Sequence, residues 1–313
     1  MSVDTDRRPA ATVTVPRAPR RNRMPYWLLV PAIAILVIGT GYPTAWQLFN
    51  SMREYGLAQQ FGKPAPWVGL QNYIELLTDS QFWLVVLRSL IFCGVTAAVT
   101  LAIGLGIALL MAAVGRTVRL TLQVSMLLAW AMPVVASMTV WTWLFDRRRG
   151  VVNYVLDMIP GVDMYRFNWL AEPLTFFFVA SVIVIWMSVP FVAFSLYAGL
   201  TQVPLEVLEA ADLDGATKSQ RLRLIILPII RPVMSIVLLL QIIWDLRVFT
   251  QITILQDAGS TATNFDLLGT YIYKLGAGSQ HFGMAAAASV LVLIITILVS
   301  GGYVWRIMKE DSK

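Results

Sequence analysis

The stretch EAADLDGATKSQRLRLIILPIIRP, residues Glu209 to Pro232, places charged residues, a glycine and two prolines inside a chain that is otherwise strongly apolar. Pro204, shortly before it, favours the start of a short helix, because a proline at the first helical position gives up an N–H that has no partner there. Asp214 and Gly215 indicate the end of that helix, since glycine readily adopts the left-handed conformation found after helices. A helical pattern then resumes and leads into the prolines. The stretch therefore predicts a helix, a sharp turn and a second helix.

The rest of the chain is predicted to lie in a membrane. Hydrophobic residues make up 58% of it and charged residues 13%, and the mean hydropathy is +0.69, values outside the range of soluble domains. A helix needs about 20 apolar residues to cross a hydrocarbon core of about 30 Å. Six runs are long enough, so we expect an all-α integral membrane protein with six transmembrane helices: about Tyr26–Phe49, Leu84–Ala113, Leu120–Phe145, Leu174–Leu200, Ile229–Leu255 and Met284–Trp305.

The distribution of arginine and lysine predicts the orientation of these helices. Short loops rich in these residues stay in the cytoplasm, and they concentrate in the N-terminal tail, the quoted stretch and the C-terminus. We therefore expect a multi-pass protein of a bacterial cell membrane with both termini in the cytoplasm. Residues 1–24 would be a disordered basic tail, residues 25–313 the membrane domain, and residues 201–228 a cytoplasmic loop. The triplet Arg147–Arg149 is a local exception on the predicted outer side.

Several classes of site are disfavoured by what the sequence lacks. It has a single histidine, His281, and a single cysteine, Cys93, too few for a zinc site of such ligands or for a disulfide within the chain. It has no phosphate-binding loop and no hydrolase motif. Its basic residues are scattered around the apolar runs rather than gathered on one soluble face, which argues against nucleic-acid binding. We expect no metal, no cofactor and no catalytic residue in this chain.

A charged helical elbow with glycine at its bend suits insertion into a groove of a partner protein. From the physical pattern alone, an ordinary amphipathic loop at the membrane surface is an equal alternative. The combination of Glu209-Ala210-Ala211, Asp214-Gly215-Ala216 and Ile226-Leu227-Pro228, however, resembles the EAA loop of ATP-binding-cassette importer permeases.

The resemblance covers almost the whole chain after the tail. The stretches VGLQNYIELL, WTWLFDRRRGVVNYVL and VIWMSVPFVAFSLYAGL are similar to those of maltose-type carbohydrate importer permeases. This implies the importer permease fold, with a coupling helix formed by Glu209, Ala210, Ala211, Asp214 and Gly215 that contacts an ATPase. It also implies a second permease subunit, two copies of a cytoplasmic ATPase that hold ATP and magnesium, an extracellular sugar-binding protein, and surrounding membrane lipid.

Polar side chains inside the predicted spans are candidates for a substrate pathway, because such groups are costly against lipid. In the fifth span Gln241, Trp244 and Asp245 fall on one helical stripe, and Arg247 and Gln251 fall on an adjoining stripe. Asp245 and Arg247 are two residues apart and cannot face each other on one helix. Either could form an ion pair with another element or contact substrate directly, and the sequence favours neither.

We therefore predict a permease that forms half of the pathway for a sugar of two or more units and performs no chemistry itself. Two alternatives remain at this stage. A permease for a different solute would share the elbow, and a secondary transporter would use Asp245 and Arg247 as an ion relay without ATP.

Overall fold

The computed structural model describes residues 24–259 and 262–311. Except for Met24, the predicted disordered tail lies outside the described residues. The chain divides into two units after Trp46. In the N-terminal unit a helix runs through a π-helical turn at Val37–Gly41 and carries a stacked pair of rings, Tyr42 and Trp46, 6.4 Å apart.

The described part of the chain is helical, with one isolated β-bridge between Arg53 and Trp67. The helices are α1 Met24–Leu36, α2 Tyr42–Ser51, α3 Leu57–Gln60, α4 Gln71–Thr78, α5 Ser80–Ala113, α6 Arg116–Trp130, α7 Val134–Leu144, α8 Val151–Asp157, α9 Pro173–Leu200, α10 Leu205–Leu213, α11 Lys218–Gln220, α12 Leu227–Leu246, α13 Thr250–Ala258, α14 Leu268–Tyr273 and α15 Phe282–Asp311. Short π-helical or 3₁₀ turns lie at Arg221–Ile226, Thr263–Phe265 and Lys274–Gly278.

The apolar helices match the six predicted spans, except that the third and the fifth predicted helices are each broken in two. Within the described residues, five helices are long and apolar enough to cross a membrane, and the pair α6 and α7 makes a sixth segment that is bent by 97°. The sequence predicts one helix over Leu120–Phe145, and the structure divides this sixth segment into two helices at a bend. Pro133 explains the break, because a proline disfavours helical geometry in the residue before it and cannot donate the helical hydrogen bond.

The centre of the second unit is α9, which packs along α5. Side chains of α9 such as Phe176, Ile183 and Leu196 are fully buried. Gly104 on α5 lets the two backbones approach closely, since a Cβ built there would lie 2.6 Å from Cγ1 of Val192. Small residues at a crossing are a common means of packing membrane helices. α12 packs against both α5 and α9, which brings the fifth predicted span into this central group.

Candidate functional site

The elbow, residues 204–220, is closed by hydrogen bonds of its own backbone. Gly215, with φ of +76°, follows the end of α10. Its N–H donates to the carbonyl of Asp212 (3.1 Å), and the N–H of Ala216 donates to the carbonyl of Ala211 (2.9 Å). This pair of bonds satisfies the last carbonyls of a helix that ends in a left-handed residue. A Cβ on Gly215 would meet nothing within 4 Å, so the glycine is required for its backbone conformation rather than for space.

The second arm of the elbow begins with a capping box and continues into the membrane. Gln220 N donates to Oγ1 of Thr217 (3.3 Å), and Thr217 N donates to Oε1 of Gln220 (2.8 Å), so two N–H groups at the helix start gain partners. The helix then runs without interruption over Lys218–Leu246, 29 residues or about 43 Å at 1.5 Å per residue. A π-helical turn lies directly before Pro228 and lets the helix pass a residue that lacks the usual N–H donor.

An ion pair joins the two arms. Arg221 Nη1 donates to both carboxylate oxygens of Asp212, with 2.6 Å to Oδ2. Both side chains are partly exposed, and exposed pairs add little to stability. Its main effect is on geometry, because it holds the end of α10 against the start of the long helix.

The predicted coupling residues come together at the surface of the elbow. Glu209, Ala210, Asp214 and Gly215 are exposed, and Ala211 is buried with 7% of its surface accessible. Sequence reasoning missed Leu213, which is 89% exposed beside the bend. The sequence does carry a signal for this exposure. Leu213 stands between two aspartates directly before the glycine, a position where a leucine is not expected on the buried side of α10.

Asp245 lies in a buried polar cluster between α5 and α12. Oγ1 of Thr96 on α5 donates to Oδ2 of Asp245 (2.8 Å), and Nε2 of Gln241 donates to Oδ1 (2.8 Å). All three side chains are buried. Oε1 of Gln241 and Oγ1 of Thr100 are also buried and have no hydrogen-bond partner among the described residues. The cluster thus holds Asp245 by neutral donors and keeps unused hydrogen-bonding capacity.

The fifth predicted span ends earlier than expected. α12 stops at Leu246, residues 247–249 leave the helix, and α13 begins at Thr250, so the prediction of one helix over Ile229–Leu255 is wrong. The two helical stripes therefore do not continue past Arg247. At the break the carbonyl of Val248 faces Gly269 on α14, where a Cβ would lie 2.9 Å from the oxygen. A glycine that is distant in the sequence leaves room for this approach, and no proline or glycine at 247–249 signals the break.

Burial, rather than the break, divides the five predicted pathway residues. Gln241 and Asp245 are inside the helix packing, whereas Trp244 and Arg247 are exposed. Gln251 is half-buried and donates to the sulfur of Met187 on α9 at 3.6 Å. Asp245 and Arg247 form no ion pair with each other; the described contacts of Asp245 are to neutral groups.

An aromatic row crosses three helices beside Trp244. Phe191 on α9 lies with its ring centroid 5.0 Å from Trp244 on α12 and 6.5 Å from Trp130 on α6. Trp130 and Trp244 are 51% and 42% exposed within this chain. Aromatic faces exposed inside membrane-spanning helices offer a surface on which the apolar faces of a ligand can stack. Sequence reasoning had not included Phe191, because one phenylalanine in an apolar helix carries no signal.

The bend between α6 and α7 opens an apolar cleft of about 720 Å³ towards α5 and α9. Trp141 and Trp186 meet in its wall with their ring centroids 5.5 Å apart. Ser125 and Ser181 are its hydroxyl-bearing lining residues. The cleft has the volume of a small-molecule site but few of the hydrogen-bonding groups that a polar solute requires.

A second polar cluster fixes the segment between α13 and α15. Asp266, 1% exposed, contacts Nζ of Lys274 at 2.7 Å and accepts from Nε2 of Gln256 at 2.9 Å. Arg88 on α5 donates to the carbonyl of Asp266 (3.0 Å). Nearby, burial and the carboxylate of Asp79 raise the pKa of Tyr271 to about 12. The phenol donates to Oδ2 of Asp79 (3.3 Å). These bonds give the cluster a structural role.

Comparison with known proteins places this arrangement in a family. The family described as "Binding-protein-dependent transport system inner membrane component" matches residues 102–305. The diacetylchitobiose uptake system permease protein DasB of Streptomyces coelicolor is 40% identical over 288 residues, covering 92% of this chain and 88% of that protein. The trehalose/maltose transport system permease protein MalF of Thermococcus litoralis is 29% identical, covering 89% of this chain and 91% of that protein.

A solved structure supports the fold. A chain of the bacterial alginate ABC transporter, crystallised in complex with an alginate pentasaccharide-bound periplasmic protein, superposes with a TM-score of 0.77. The match covers 91% of this chain and 93% of that chain at 23% identity. The importer permease fold predicted from the EAA loop is confirmed.

Proposed function

This chain belongs to the family of inner membrane components of binding-protein-dependent transport systems, and we propose that it forms half of the translocation pathway for a di- or oligosaccharide. Members of this family are membrane subunits without catalysis of their own. Membership therefore argues against the alternative of a secondary transporter that uses an ion gradient. Relatives named for diacetylchitobiose and for trehalose and maltose, aligned over about nine-tenths of the chain, support a sugar.

The observation that carries the mechanism is the uninterrupted helix over Lys218–Leu246. One end of it forms the second arm of the elbow, and the other carries Asp245 and Trp244. A rigid helix of about 43 Å transmits a displacement of the elbow directly to the groups inside the membrane. This is the connection that an importer driven by an external ATPase requires.

The elbow contacts a partner ATPase in this proposal. Glu209, Asp214 and the exposed Leu213 supply charged and apolar contacts, while Ala210 and Gly215 allow close approach of the backbones. Ala211 supports them from the buried side. ATP and magnesium are held by the ATPase, of which two copies serve a pair of permeases, and this chain binds no cofactor.

The aromatic row contacts the sugar. Rings of Trp130, Phe191 and Trp244 stack on the apolar faces of sugar units, and Arg247, three residues beyond Trp244, donates to hydroxyl groups. Gln241 and Asp245 affect transport indirectly, because they hold α12 against α5. Gln251 does so through its contact with α9. A second permease closes the other side of the pathway, and an extracellular binding protein delivers the sugar. In this arrangement both termini are cytoplasmic.

The test is reconstitution of this chain with its partner permease, ATPase and binding protein in lipid vesicles. ATP hydrolysis is measured with diacetylchitobiose, trehalose, maltose, an amino acid mixture, phosphate or no added solute, with and without the binding protein. We expect one sugar to stimulate hydrolysis only when its binding protein is present. If an amino acid or phosphate stimulates hydrolysis and no sugar does, the chain is an importer permease, but the proposal that its substrate is a sugar is wrong.

A further inference from the structure

Four arginines surround a cavity in the loop between α7 and α9. The cavity has a volume of about 280 Å³ and is here called the arginine pocket; the arginines in its wall are Arg147, Arg148, Arg149 and Arg166. They lie at the end of α9 away from the elbow, on the side that the sequence predicts to be outside. The coupling and translocation roles proposed above do not use them.

Arg148 and Arg149 present the guanidinium groups that are most available to a ligand, because Nε of Arg147 donates to the carbonyl of Arg166 (3.1 Å) and the guanidinium of Arg166 lies over the ring of Tyr165. Within the described residues none of the four arginines forms an ion pair. The nearby carboxylates are engaged by backbone groups: Oδ1 of Asp146 accepts from the N–H groups of Arg148 (2.9 Å) and Arg149 (2.7 Å). Oδ1 of Asp157 accepts from Met164 N (3.1 Å). In the wall of the pocket, four guanidinium groups therefore stand against one carboxylate, that of Asp157.

The walls of the pocket are fixed by the protein. Asn153 is buried, donates to the carbonyl of Phe167 (2.9 Å) and accepts from Nε1 of Trp169 (2.5 Å). Gly150 turns so tightly that a Cβ would lie 2.7 Å from the carbonyl of Leu144. The arginines are thus presented from a rigid turn, and a ligand would not have to order the loop on binding.

An exposed apolar face adjoins the arginines. α8 and the turn after it present residues at helical spacing i, i+3, i+4, i+7 and i+8, all exposed: Val151, Tyr154, Val155, Met158 and Ile159. Tyr154 is 66% and Met158 63% exposed. α8 starts seven residues after the end of α7, so it lies within about 25 Å of a membrane-spanning segment. A short helix with one apolar face next to basic residues is typical of a segment lying in the membrane interface.

We propose that the arginine pocket binds the phosphate of an anionic phospholipid while the apolar face of α8 lies on its acyl chains. Guanidinium groups form paired hydrogen bonds with phosphate, and basic groups beside a membrane attract anionic headgroups. The pocket and the apolar face together match the two parts of such a lipid. An acidic face of a partner protein would satisfy the arginines alone and would leave the apolar face of α8 in water.

The experiment uses the full-length chain carrying Ile159→Cys, labelled with bimane, in detergent micelles. Cys93 is buried and should not react. Phosphatidylglycerol with brominated acyl chains, a contact quencher, is titrated in, with brominated phosphatidylcholine as the uncharged comparison. The double variant Arg148→Gln/Arg149→Gln tests the pocket, and Arg116→Gln/Arg223→Gln removes the same charge from exposed positions elsewhere.

We expect quenching by phosphatidylglycerol at much lower concentration than by phosphatidylcholine. The pocket variant should need about 30-fold more phosphatidylglycerol, and the control variant should behave like the parent. Equal quenching by both lipids, or an equal shift in both variants, would overturn the site. Loss of binding to the system's binding protein in the pocket variant, with lipid quenching unchanged, would also overturn it and assign the arginines to a protein contact.

Discussion

The two ends of the helix over Lys218–Leu246 satisfy their polar groups in opposite ways. At the elbow the backbone and side chains complete their hydrogen bonds locally, and charged residues and Leu213 face outward. At the other end Asp245 is buried, and neighbouring polar atoms on Gln241 and Thr100 have no hydrogen-bond partner in the part of the chain that the structure describes. The elbow is thus a preformed surface that a partner protein can contact. The buried cluster joins α12 to α5 and contains polar atoms that are not hydrogen-bonded. Its hydrogen bonds can therefore rearrange when α12 moves against α5.

The largest effect should come from breaking the elbow at its bend. Gly215→Val forces a branched residue into a positive φ, at a cost of about 1–2 kcal/mol, and the elbow would take another shape. We expect sugar-stimulated ATP hydrolysis in the reconstituted complex to fall about 10-fold or more. Gly215→Asn is the matched control, because asparagine tolerates this conformation and its side chain would enter open space. Similar losses in both variants would contradict the conformational argument.

Replacing Asp245, the hydrogen-bond acceptor of the buried cluster, tests whether the cluster holds α12 against α5. Asp245→Leu leaves both ends of the Gln241 amide without a partner, and we expect the free energy of unfolding to fall by about 2 kcal/mol. Thermal unfolding of the purified chain measures this. Asp245→Asn retains a carbonyl acceptor and should lose less. Unchanged stability in the leucine variant would mean that the cluster does not hold α12 to α5.

The aromatic row offers a sharper distinction between exposed and buried residues near the same end of the helix. Trp244→Ala removes a stacking surface worth about 1 kcal/mol, so the sugar concentration for half-maximal stimulation should rise about 5-fold. Trp244→Phe keeps an aromatic ring, so its half-maximal sugar concentration should stay close to that of the parent. If Gln241→Ala alters sugar dependence more than Trp244→Ala does, the buried group contacts the sugar and the exposed ring does not.

The smallest effect is expected at the ion pair between the arms. Arg221→Gln removes an exposed contact to Asp212, and pairs of this kind contribute at most about 1 kcal/mol. Stability should change little, and stimulated ATP hydrolysis should fall less than twofold. A loss as large as that in Gly215→Val would mean that the pair, rather than the glycine, sets the shape of the elbow.

The elbow could be predicted from sequence because its signals are local. Pro204 and Gly215 act within a few residues, and the structure has the predicted helix, turn and helix, with a capping box at Thr217 that the sequence analysis did not identify. The second arm is continuous with the membrane helix rather than separate from it. The bend at Pro133 had a local signal too, but the apolar run on both sides concealed it.

The intramembrane end could be predicted only in part because its geometry depends on distant residues. The partner of Asp245 is Thr96, 149 positions away, and one threonine in an apolar helix gives no warning of that contact. The break after Leu246 depends on Gly269, and the aromatic row depends on how three helices pack. Helical periodicity identified Gln241, Trp244 and Asp245 as a set, but burial divides them.

The most direct test of the central claim is site-specific crosslinking from the tip of the elbow. Leu213→Cys, with Cys93 buried, is labelled with a maleimide photocrosslinker in the assembled complex, and Met158→Cys at the other end of the membrane domain is the control. We expect an adduct with the ATPase from Leu213→Cys that is absent from Met158→Cys. A functional complex in which Leu213→Cys gives no ATPase adduct, or in which both positions do so equally, would contradict it.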